Sequence, residues 1–279
     1  MSTEHKIKVG SLEWFYRESS PIGKTDLVPV LLLHGLLSQS YSWRKIMPAI
    51  AAQGTRAIAP DWLGFGFSAK PERREFAYTP DAFITALAEF IKALELEKFS
   101  LVVQGFLGSV GLQYALRHSD QIESLAILNT PISMTAKLPW KMQQCGLPLL
   151  GEILTQDPLV VDRTLEGGSR YQISEPDLDV YRKPFVKSSA AGRSLLATVR
   201  NLQLQPSMAE IESGFQQWQK PTLIVWGSAD PWLPLSMAQN FASALPQAQL
   251  IKLEQGAHYP QEHWHEAVIE DLVPFLRRK

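Results

Sequence analysis

The chain has little of three features that define specialised protein classes: cysteine, excess charge and long hydrophobic runs. Its one cysteine, Cys145, excludes an internal disulfide and a cysteine-rich metal site. With 27 Lys and Arg against 28 Asp and Glu, the net charge of -1 provides no positive surface selective for nucleic acid or anionic membranes. No run is long enough for a membrane span, and residues 1–10 lack the apolar centre of an export signal. These absences favour a cytoplasmic protein of a reducing compartment, without a nucleic-acid partner.

The 279 residues are 45% apolar, which suits one large domain with its own core. Short apolar runs that end at turn signals predict buried strands at residues 28–33, 56–59, 99–104, 125–129, 222–226 and 249–253. The stretches between and after them predict helices at residues 43–52, 82–94, 107–117 and 263–276. Buried strands that alternate with helices indicate the α/β class, with a parallel sheet covered on both faces. The alternating pattern of residues 6–17 predicts an antiparallel hairpin ahead of this sheet.

The alternation of strands and helices stops between residues 132 and 219. That stretch is rich in proline, has helical pieces and contains no clear buried strand. Because it lies between two core strands, it has to leave the sheet and return. We therefore predict a core of residues 1–132 and 219–279, and an inserted helical cap of residues 133–218. Such a cap lies over the carboxyl ends of the strands, where ligands bind in open α/β sheets.

Chemically useful residues follow the predicted strands in a characteristic order. A glycine-rich strand-turn-helix segment comes first, then Asp230, and finally His258 near the end of the chain, as in α/β-hydrolases. The segments APDWLGFGFSAKP, LVVQGFLGSVGL and GAHYPQE resemble the haloalkane dehalogenase and epoxide hydrolase branch of that superfamily. The resemblance covers residues 25–132 and 219–279. It implies an α/β-hydrolase fold, with a mostly parallel sheet flanked by helices and an inserted helical cap.

The turn between strand and helix departs from the family at its most important residue. Dehalogenase-like sequences read Val-Val-Gln-Asp-Trp-Gly-Gly there, and the aspartate is the nucleophile. An ungapped alignment puts Gly105 at the nucleophile position and Phe106, which cannot donate a hydrogen bond to halide, at the tryptophan position. Ser109 is the nearest hydroxyl, but it lies about 6 Å further along the helix and lacks the G-x-S-x-G context. We predict an intact turn without a side-chain nucleophile.

The resemblance also assigns the remaining site residues. His258 corresponds to the general base, and Asp230 to the acid that holds its tautomer and stabilises its charged form. The oxyanion donors would be the backbone N–H groups of Leu36 and of Phe106, the latter at the start of the elbow helix. Gln104, directly before the nucleophile position, is a further candidate substrate-binding residue.

The other histidines have simpler interpretations. We interpret His34 as a structural residue bonded to backbone near the elbow. His263 and His265 are interpreted as solvated residues on an exposed helix face beside Glu262 and Glu266. No set of His, Cys, Asp or Glu has the spacing of a metal site, and we predict neither a metal nor another cofactor.

Three functions are compatible with these residues. The first is a hydrolase-like enzyme in which His258 acts as a general base toward a small apolar molecule such as an ester, a lactone or another carbonyl compound. The second is a non-catalytic binding protein, a pseudoenzyme, that keeps the histidine and aspartate as a ligand anchor. The third is a haloalkane dehalogenase-like enzyme altered at Gly105. Five tryptophans could line the pocket, although packing is the usual role of a buried tryptophan: Trp43, Trp62, Trp140, Trp226 and Trp232.

Overall fold

The apolar runs of the sequence form the centre of a mixed, mostly parallel sheet. The computed structural model describes residues 2–23 and 27–277. The strands in this part of the chain are β1 (Thr3–Val9), β2 (Leu12–Ser19), β3 (Val30–Leu33), β4 (Ala57–Pro60), β5 (Phe99–Gln104), β6 (Ile122–Leu128), β7 (Thr222–Gly227) and β8 (Ala248–Leu253). Their order across the sheet is β1-β2-β4-β3-β5-β6-β7-β8. The pairs β1–β2 and β2–β4 are antiparallel, and the remaining pairs are parallel.

The helices divide into those that flank the sheet and those inserted between β6 and β7. The first group is α1 (Met47–Ala52), α2 (Pro80–Ala93), α3 (Gly105–Arg117), α10 (Leu235–Ser243), α11 (Pro260–His263) and α12 (His265–Leu276). The inserted group is α4 (Trp140–Gln144), α5 (Leu150–Leu154), α6 (Leu159–Ser169), α7 (Glu175–Lys187), α8 (Ser189–Asn201) and α9 (Leu204–Gly214). The α/β-hydrolase fold with an inserted helical region is therefore confirmed. The cap boundaries at residues 133 and 218 stay a prediction.

Strand β5 shows why the sequence selects a sheet with helices on both faces. All six of its residues are buried. Successive side chains of a strand point to opposite faces. Leu101 and Val103 accordingly belong to the apolar cluster that includes α2 and α3, whereas Val102 belongs to the cluster that includes α1 and α12. Because both faces of this strand are covered, the polar groups of a functional site have to lie at its carboxyl end.

Several predicted helix bounds differ from those of the structure by two residues or more. The helix predicted at 107–117 already begins at Gly105. The region predicted as a helix at 43–52 is a 3₁₀ turn, Ser40–Trp43, followed by α1 with a proline in its first turn. The helix predicted at 263–276 is two helices, α11 and α12, separated by Trp264, which has φ -99 and ψ 26. Trp43, Met47 and Ile50 belong to one apolar cluster, so the apolar periodicity continues through the first of these breaks.

Candidate active site

The turn between β5 and α3 keeps the backbone geometry of a nucleophile elbow. Gln104 ends the strand in an extended conformation, and Gly105 begins the helix with φ +69. Glycine adopts this left-handed region without strain, whereas another L-residue does not. Gly35, in the loop after β3, lies against the turn, where an added Cβ would be 2.7 Å from Gln104 Oε1 and 3.0 Å from the Gly105 Cα. The two glycines allow both loops to approach closely.

The missing side chain at position 105 would point at the candidate base. A Cβ built on Gly105 would lie 3.4 Å from His258 Nε2, an ordinary contact distance, and 3.0 Å from the Gly35 Cα. The loop after β8 therefore delivers the imidazole to the place where a nucleophile would need it. The elbow has the backbone and the base of a nucleophilic site, and lacks only the reactive atom.

His258 and Asp230 form a buried hydrogen-bonded pair. His258 Nδ1 lies 2.8 Å from Asp230 Oδ2, and the two side chains are 1% and 0% exposed. Because a carboxylate only accepts hydrogen bonds, the imidazole donates from Nδ1 and keeps the lone pair on Nε2. That lone pair belongs to the atom that faces Gly105. The structure thus brings together the two residues that the resemblance predicted as a dyad.

The Asp230 carboxylate receives three further donors, one of which the sequence analysis missed. The backbone N–H groups of Trp232 and Leu233 donate to Oδ1 at 2.8 and 3.1 Å. The side-chain amide of Asn129, directly after β6, donates to Oδ2 at 2.8 Å. Asn129 also accepts from the N–H of Gly227 at 2.9 Å, which ties the ends of β6 and β7 together. The available signal was a polar residue at the carboxyl end of a buried strand. Asn129 is a positioning residue for the dyad.

Aromatic side chains surround the imidazole. The ring centroid of His258 is 5.4 Å from that of Phe106 in a stacked arrangement, 4.6 Å from that of Trp232 and 4.8 Å from that of Tyr259. None of these contacts involves a charged group, so the surroundings of the base are apolar on these sides. Phe106, which the sequence alignment puts at the tryptophan position, presents a ring face to the imidazole and has no N–H donor in its side chain.

The inserted helices lie directly on the histidine loop. The backbone N–H of His258 donates to the carbonyl of Gly168, near the end of α6, at 3.0 Å. A Cβ on Gly168 would lie 2.5 Å from Trp232 and 2.6 Å from Tyr259, so only glycine permits this approach. The prediction that the inserted region covers the site is consistent with this contact.

The candidate oxyanion and substrate-binding residues line the same turn. Phe106 is the second residue of α3, so its N–H has no carbonyl one turn earlier in the helix. Within the described residues, the Leu36 N–H donates no hydrogen bond. The side-chain amide of Gln104 donates to the His258 carbonyl at 2.7 Å, and its Oε1 is buried without a partner in the described chain. Gln104 therefore anchors the histidine loop, and a role of these three residues toward substrate stays a prediction.

Two other polar residues near the elbow are engaged with backbone. His34 Nε2 accepts from the N–H of Trp62 at 3.1 Å, and His34 Nδ1 donates to the carbonyl of Gly35 at 2.8 Å. Burial lowers the pKa of this imidazole, which matches its neutral, structural role. The Ser109 hydroxyl donates to the carbonyl of Phe106 at 2.8 Å inside α3, away from the tip of the turn. Neither polar side chain reaches the Gly105 position.

Glu262 is the clearest correction to the sequence analysis, which placed it on an exposed helix face. Its side chain is 3% exposed and accepts two hydrogen bonds from Arg44, at 2.9 and 3.2 Å, and another from the Tyr181 hydroxyl of α7. Arg44 also pairs with Asp177 of α7 at 3.1 Å. Burial raises the pKa of Glu262, whereas Arg44 lowers it. This network joins the inserted helices to the segment that follows His258.

His263 and His265 are only partly exposed, so the prediction of solvated residues is wrong for them as well. The His263 ring stacks on Tyr171, and burial lowers the pKa of both imidazoles. The charged neighbours in the sequence concealed this burial.

Of the five tryptophans considered as pocket residues, one contacts the dyad. Trp232 lies against His258, as described above, and Trp140 is 65% exposed on α4. The other three are fully buried packing residues: Trp43, Trp62 and Trp226.

In the part of the chain that the structure describes, no three His, Cys, Asp or Glu side chains are grouped as a metal site requires. Across residues 2–23 and 27–277, no helix combines the length and apolar character that a membrane crossing needs.

The geometry defines the class of protein, and comparison with known proteins agrees. Residues 28–263 match the family model of the alpha/beta hydrolase fold, so the chain belongs to that family. The cis-3-alkyl-4-alkyloxetan-2-one decarboxylase of Shewanella oneidensis is 29% identical over 89% of this chain and 81% of its own length. Haloalkane dehalogenase 2 of Mycobacterium tuberculosis is 27% identical over 84% of this chain and 82% of its own length.

Solved structures give the same relationship. The haloalkane dehalogenase from Bradyrhizobium elkani superposes with a TM-score of 0.88 at 25% identity, covering 99% of this chain and 98% of that one. The predicted resemblance is confirmed for the haloalkane dehalogenase branch. The chain is an α/β hydrolase related to haloalkane dehalogenases and oxetanone decarboxylases.

Proposed function

We propose that the protein is an enzyme that hydrolyses small esters or lactones by general-base catalysis, without a covalent enzyme intermediate. His258, held by Asp230, is the base in this proposal, and water takes the part that a side-chain nucleophile has in the relatives. The backbone N–H groups of Leu36 and Phe106 hold the charge that develops on the carbonyl oxygen.

One observation carries the proposal. The Cβ position of Gly105 lies 3.4 Å from His258 Nε2, although glycine places no atom there. A protein that needed only a fold would not require an oriented, buried base at that point. The Asp230 carboxylate accepts hydrogen bonds from Asn129 and two backbone groups, which hold it in place beside the imidazole.

The reaction needs one water molecule and no other reactant. His258 Nε2 takes a proton from water as the oxygen attacks the carbonyl carbon, and the negative charge passes to the carbonyl oxygen. When the tetrahedral intermediate collapses, the C–O bond to the leaving alkoxide breaks. The imidazolium returns its proton to that alkoxide, which yields an acid and an alcohol, or a hydroxy acid from a lactone. Without covalent catalysis, a base of this kind contributes about 10²–10⁴-fold, which favours strained or otherwise reactive carbonyl compounds.

The relatives support a lactone as the substrate class. Two of them, from Shewanella oneidensis and Xanthomonas campestris, are named for an oxetan-2-one, which is a four-membered lactone. Ring strain makes such a compound reactive enough for general-base catalysis. The aromatic surroundings of His258 suit an apolar ring. A cavity of about 490 Å³ has in its wall Trp232, the side chain that contacts His258.

Turnover of short esters, β-lactones, epoxides and haloalkanes by the natural protein and by His258→Gln tests the proposal. We expect ester or lactone hydrolysis that falls at least a hundredfold in the variant. In ¹⁸O-labelled water, a single turnover should put the label into the product acid, and the intact protein mass should show no adduct. An acyl-enzyme adduct, or activity unchanged in His258→Gln, would contradict a water nucleophile activated by this base.

The same experiment separates the two other candidate functions. Binding of lactones without turnover, in the natural protein and the variant alike, would identify a non-catalytic binding protein. Halide release from haloalkanes would identify an altered dehalogenase. We do not favour that route, because Gly105 supplies no nucleophile and Phe106 no halide donor.

A further inference from the structure

The candidate base lies out of reach in the structure. His258 is 1% exposed, and Phe106 and Tyr259, whose rings pack against the imidazole, are 0% and 1% exposed. In the proposed function, however, a substrate has to meet the Nε2 atom of His258. A group beside the imidazole therefore has to move during each turnover, as lids and loops do in many enzymes. This requirement rests on the proposed function, whereas the contacts that identify the moving group do not.

Trp232 is the neighbour of His258 that has open space beside it. Its ring centroid lies 4.6 Å from that of the imidazole, and the same indole lines a cavity of about 490 Å³. Phe106 and Tyr259 do not belong to the wall of this cavity. Because an engineered cavity of about 150 Å³ can hold a benzene molecule, a cavity of this size has room for an indole ring. Trp232 therefore has the base on one side and space to turn into on another.

Trp232 is also the least restrained of the three aromatic side chains around the imidazole. Its indole is half-buried and donates no hydrogen bond within the described residues. The Tyr259 hydroxyl, by contrast, donates to the carbonyl of Leu36 at 3.3 Å, and Phe106 lies fully buried in α3. The backbone of Trp232 is held by its N–H, which donates to Asp230 Oδ1 at 2.8 Å. The ring can thus change rotamer without disturbing the dyad.

We propose that the indole of Trp232 is a gate between this cavity and His258. In the structure the gate is closed, with the ring against the imidazole, and rotation of the ring into the cavity opens a path to Nε2. The open conformer is the minor one, because the closed ring packs against three other rings, those of His258, Phe106 and Tyr259. A gate of this kind also selects substrates by size, since the opening is no wider than the space that the ring vacates.

Modification of His258 by diethyl pyrocarbonate tests the gate without requiring turnover. The free Nε2 attacks a carbonyl carbon of the reagent, a bond from nitrogen to carbon forms, monoethyl carbonate leaves, and the acylated imidazole gives up its Nδ1 proton. Peptide mass spectrometry gives the rate of modification at each histidine. Because a minor conformer typically makes up about 0.1–10% of an ensemble, removal of the ring in Trp232→Ala should raise the rate at His258 at least about tenfold. Trp232→Phe, with a smaller ring, should give a rate between those of the natural protein and Trp232→Ala.

Trp140→Ala is the matched control, because Trp140 lines the same cavity and is 65% exposed, but makes no ring contact with His258 in the described chain. Its rate of modification at His258 should equal that of the natural protein. His34, which is 0% exposed and bonded to backbone through both ring nitrogens, reports a loosened fold in every variant. Equal rates at His258 in the natural protein and in both Trp232 variants would overturn the proposal. So would a rise of the same size in Trp140→Ala, or a gain at His258 that His34 matches in Trp232→Phe.

Two esters that differ in acyl size separate the gate from the proposed function. Trp232→Ala should raise kcat/KM for phenyl benzoate relative to phenyl acetate by about tenfold, because removal of the ring widens the path to His258. A gain in the modification of His258 without hydrolysis of either ester would support the gate and contradict the proposed function. Hydrolysis by the natural protein, with neither the modification rate nor the ester preference changed in Trp232→Ala, would support the proposed function and overturn the gate.

Discussion

Replacing Gly105 by aspartate tests both the strain and the direction of the elbow. An L-residue at φ +69 costs about 1–2 kcal/mol relative to glycine. The added Cβ would also press on the Gly35 Cα at 3.0 Å, which requires a shift of a few tenths of an ångström. We therefore expect the free energy of unfolding of Gly105→Asp to fall by about 2 kcal/mol, which corresponds to a melting temperature lower by about 4–8 °C.

The same variant should acquire a nucleophile. Its carboxylate would extend from a Cβ at contact distance from His258 Nε2, as covalent catalysis with an activated water requires. With a 1-bromoalkane, the carboxylate oxygen forms a bond to carbon as bromide leaves. In Gly105→Asp combined with His258→Gln, the resulting ester should persist because no base activates the water that hydrolyses it. Intact-protein mass spectrometry should then show the mass of one alkyl group.

Gly105→Ala is the control, since it carries the same backbone cost without a reactive group. It should lose stability like the aspartate variant and form no adduct. An alanine variant as stable as the natural protein would refute the positive φ at the turn. A folded aspartate variant that forms no adduct with any bromoalkane would refute the direction assigned to the side chain.

Three further predictions follow from contacts around the dyad and from the ion pair between Arg44 and Glu262. Asn129→Ala removes one donor from the dyad carboxylate, so kcat for hydrolysis should fall about tenfold with KM unchanged, a split that a purely structural role would not produce. Gly168→Ala should destabilise the protein by about 1–3 kcal/mol through overpacking, whereas Gly167→Ala, with open space around its Cβ, should not. Equal melting temperatures of the two variants would contradict the close approach of Gly168 to Trp232 and Tyr259. Arg44→Met leaves Glu262 buried without its cation and should lower the free energy of unfolding by about 3–5 kcal/mol at pH 8, as measured by urea denaturation. Because burial raises the pKa of that carboxyl in the folded state, the loss should shrink as the pH falls and the carboxyl is protonated; a loss that does not depend on pH would refute this.

Local pattern predicted the elements that are buried on every side. Strand β5 has the same bounds in the sequence analysis and in the structure, Phe99–Gln104, because an apolar run between polar ends has one interpretation as a strand. The order of Gly105, Asp230 and His258 along the chain was equally visible, since each follows a strand. The bounds of helices with interruptions were not, as the break at Trp264 shows.

The environment of charged and polar residues could not be predicted in the same way. Glu262 lies among charged and polar neighbours in the sequence, and its burial depends on Arg44, 218 positions earlier. Asn129 meets Asp230 across 101 positions. No local pattern encodes a pairing over such distances, because it arises only when strands assemble side by side.

The sequence by itself determined the α/β class, the family of the core and the glycine, without a side chain, at position 105, because strand burial and motif order are properties of short segments. Tertiary structure alone decided that the empty position faces His258 Nε2 and that Gly168 brings the inserted helices onto the dyad. These are relations between loops that lie far apart in the chain, and they exist only once the sheet has brought the ends of its strands to one edge.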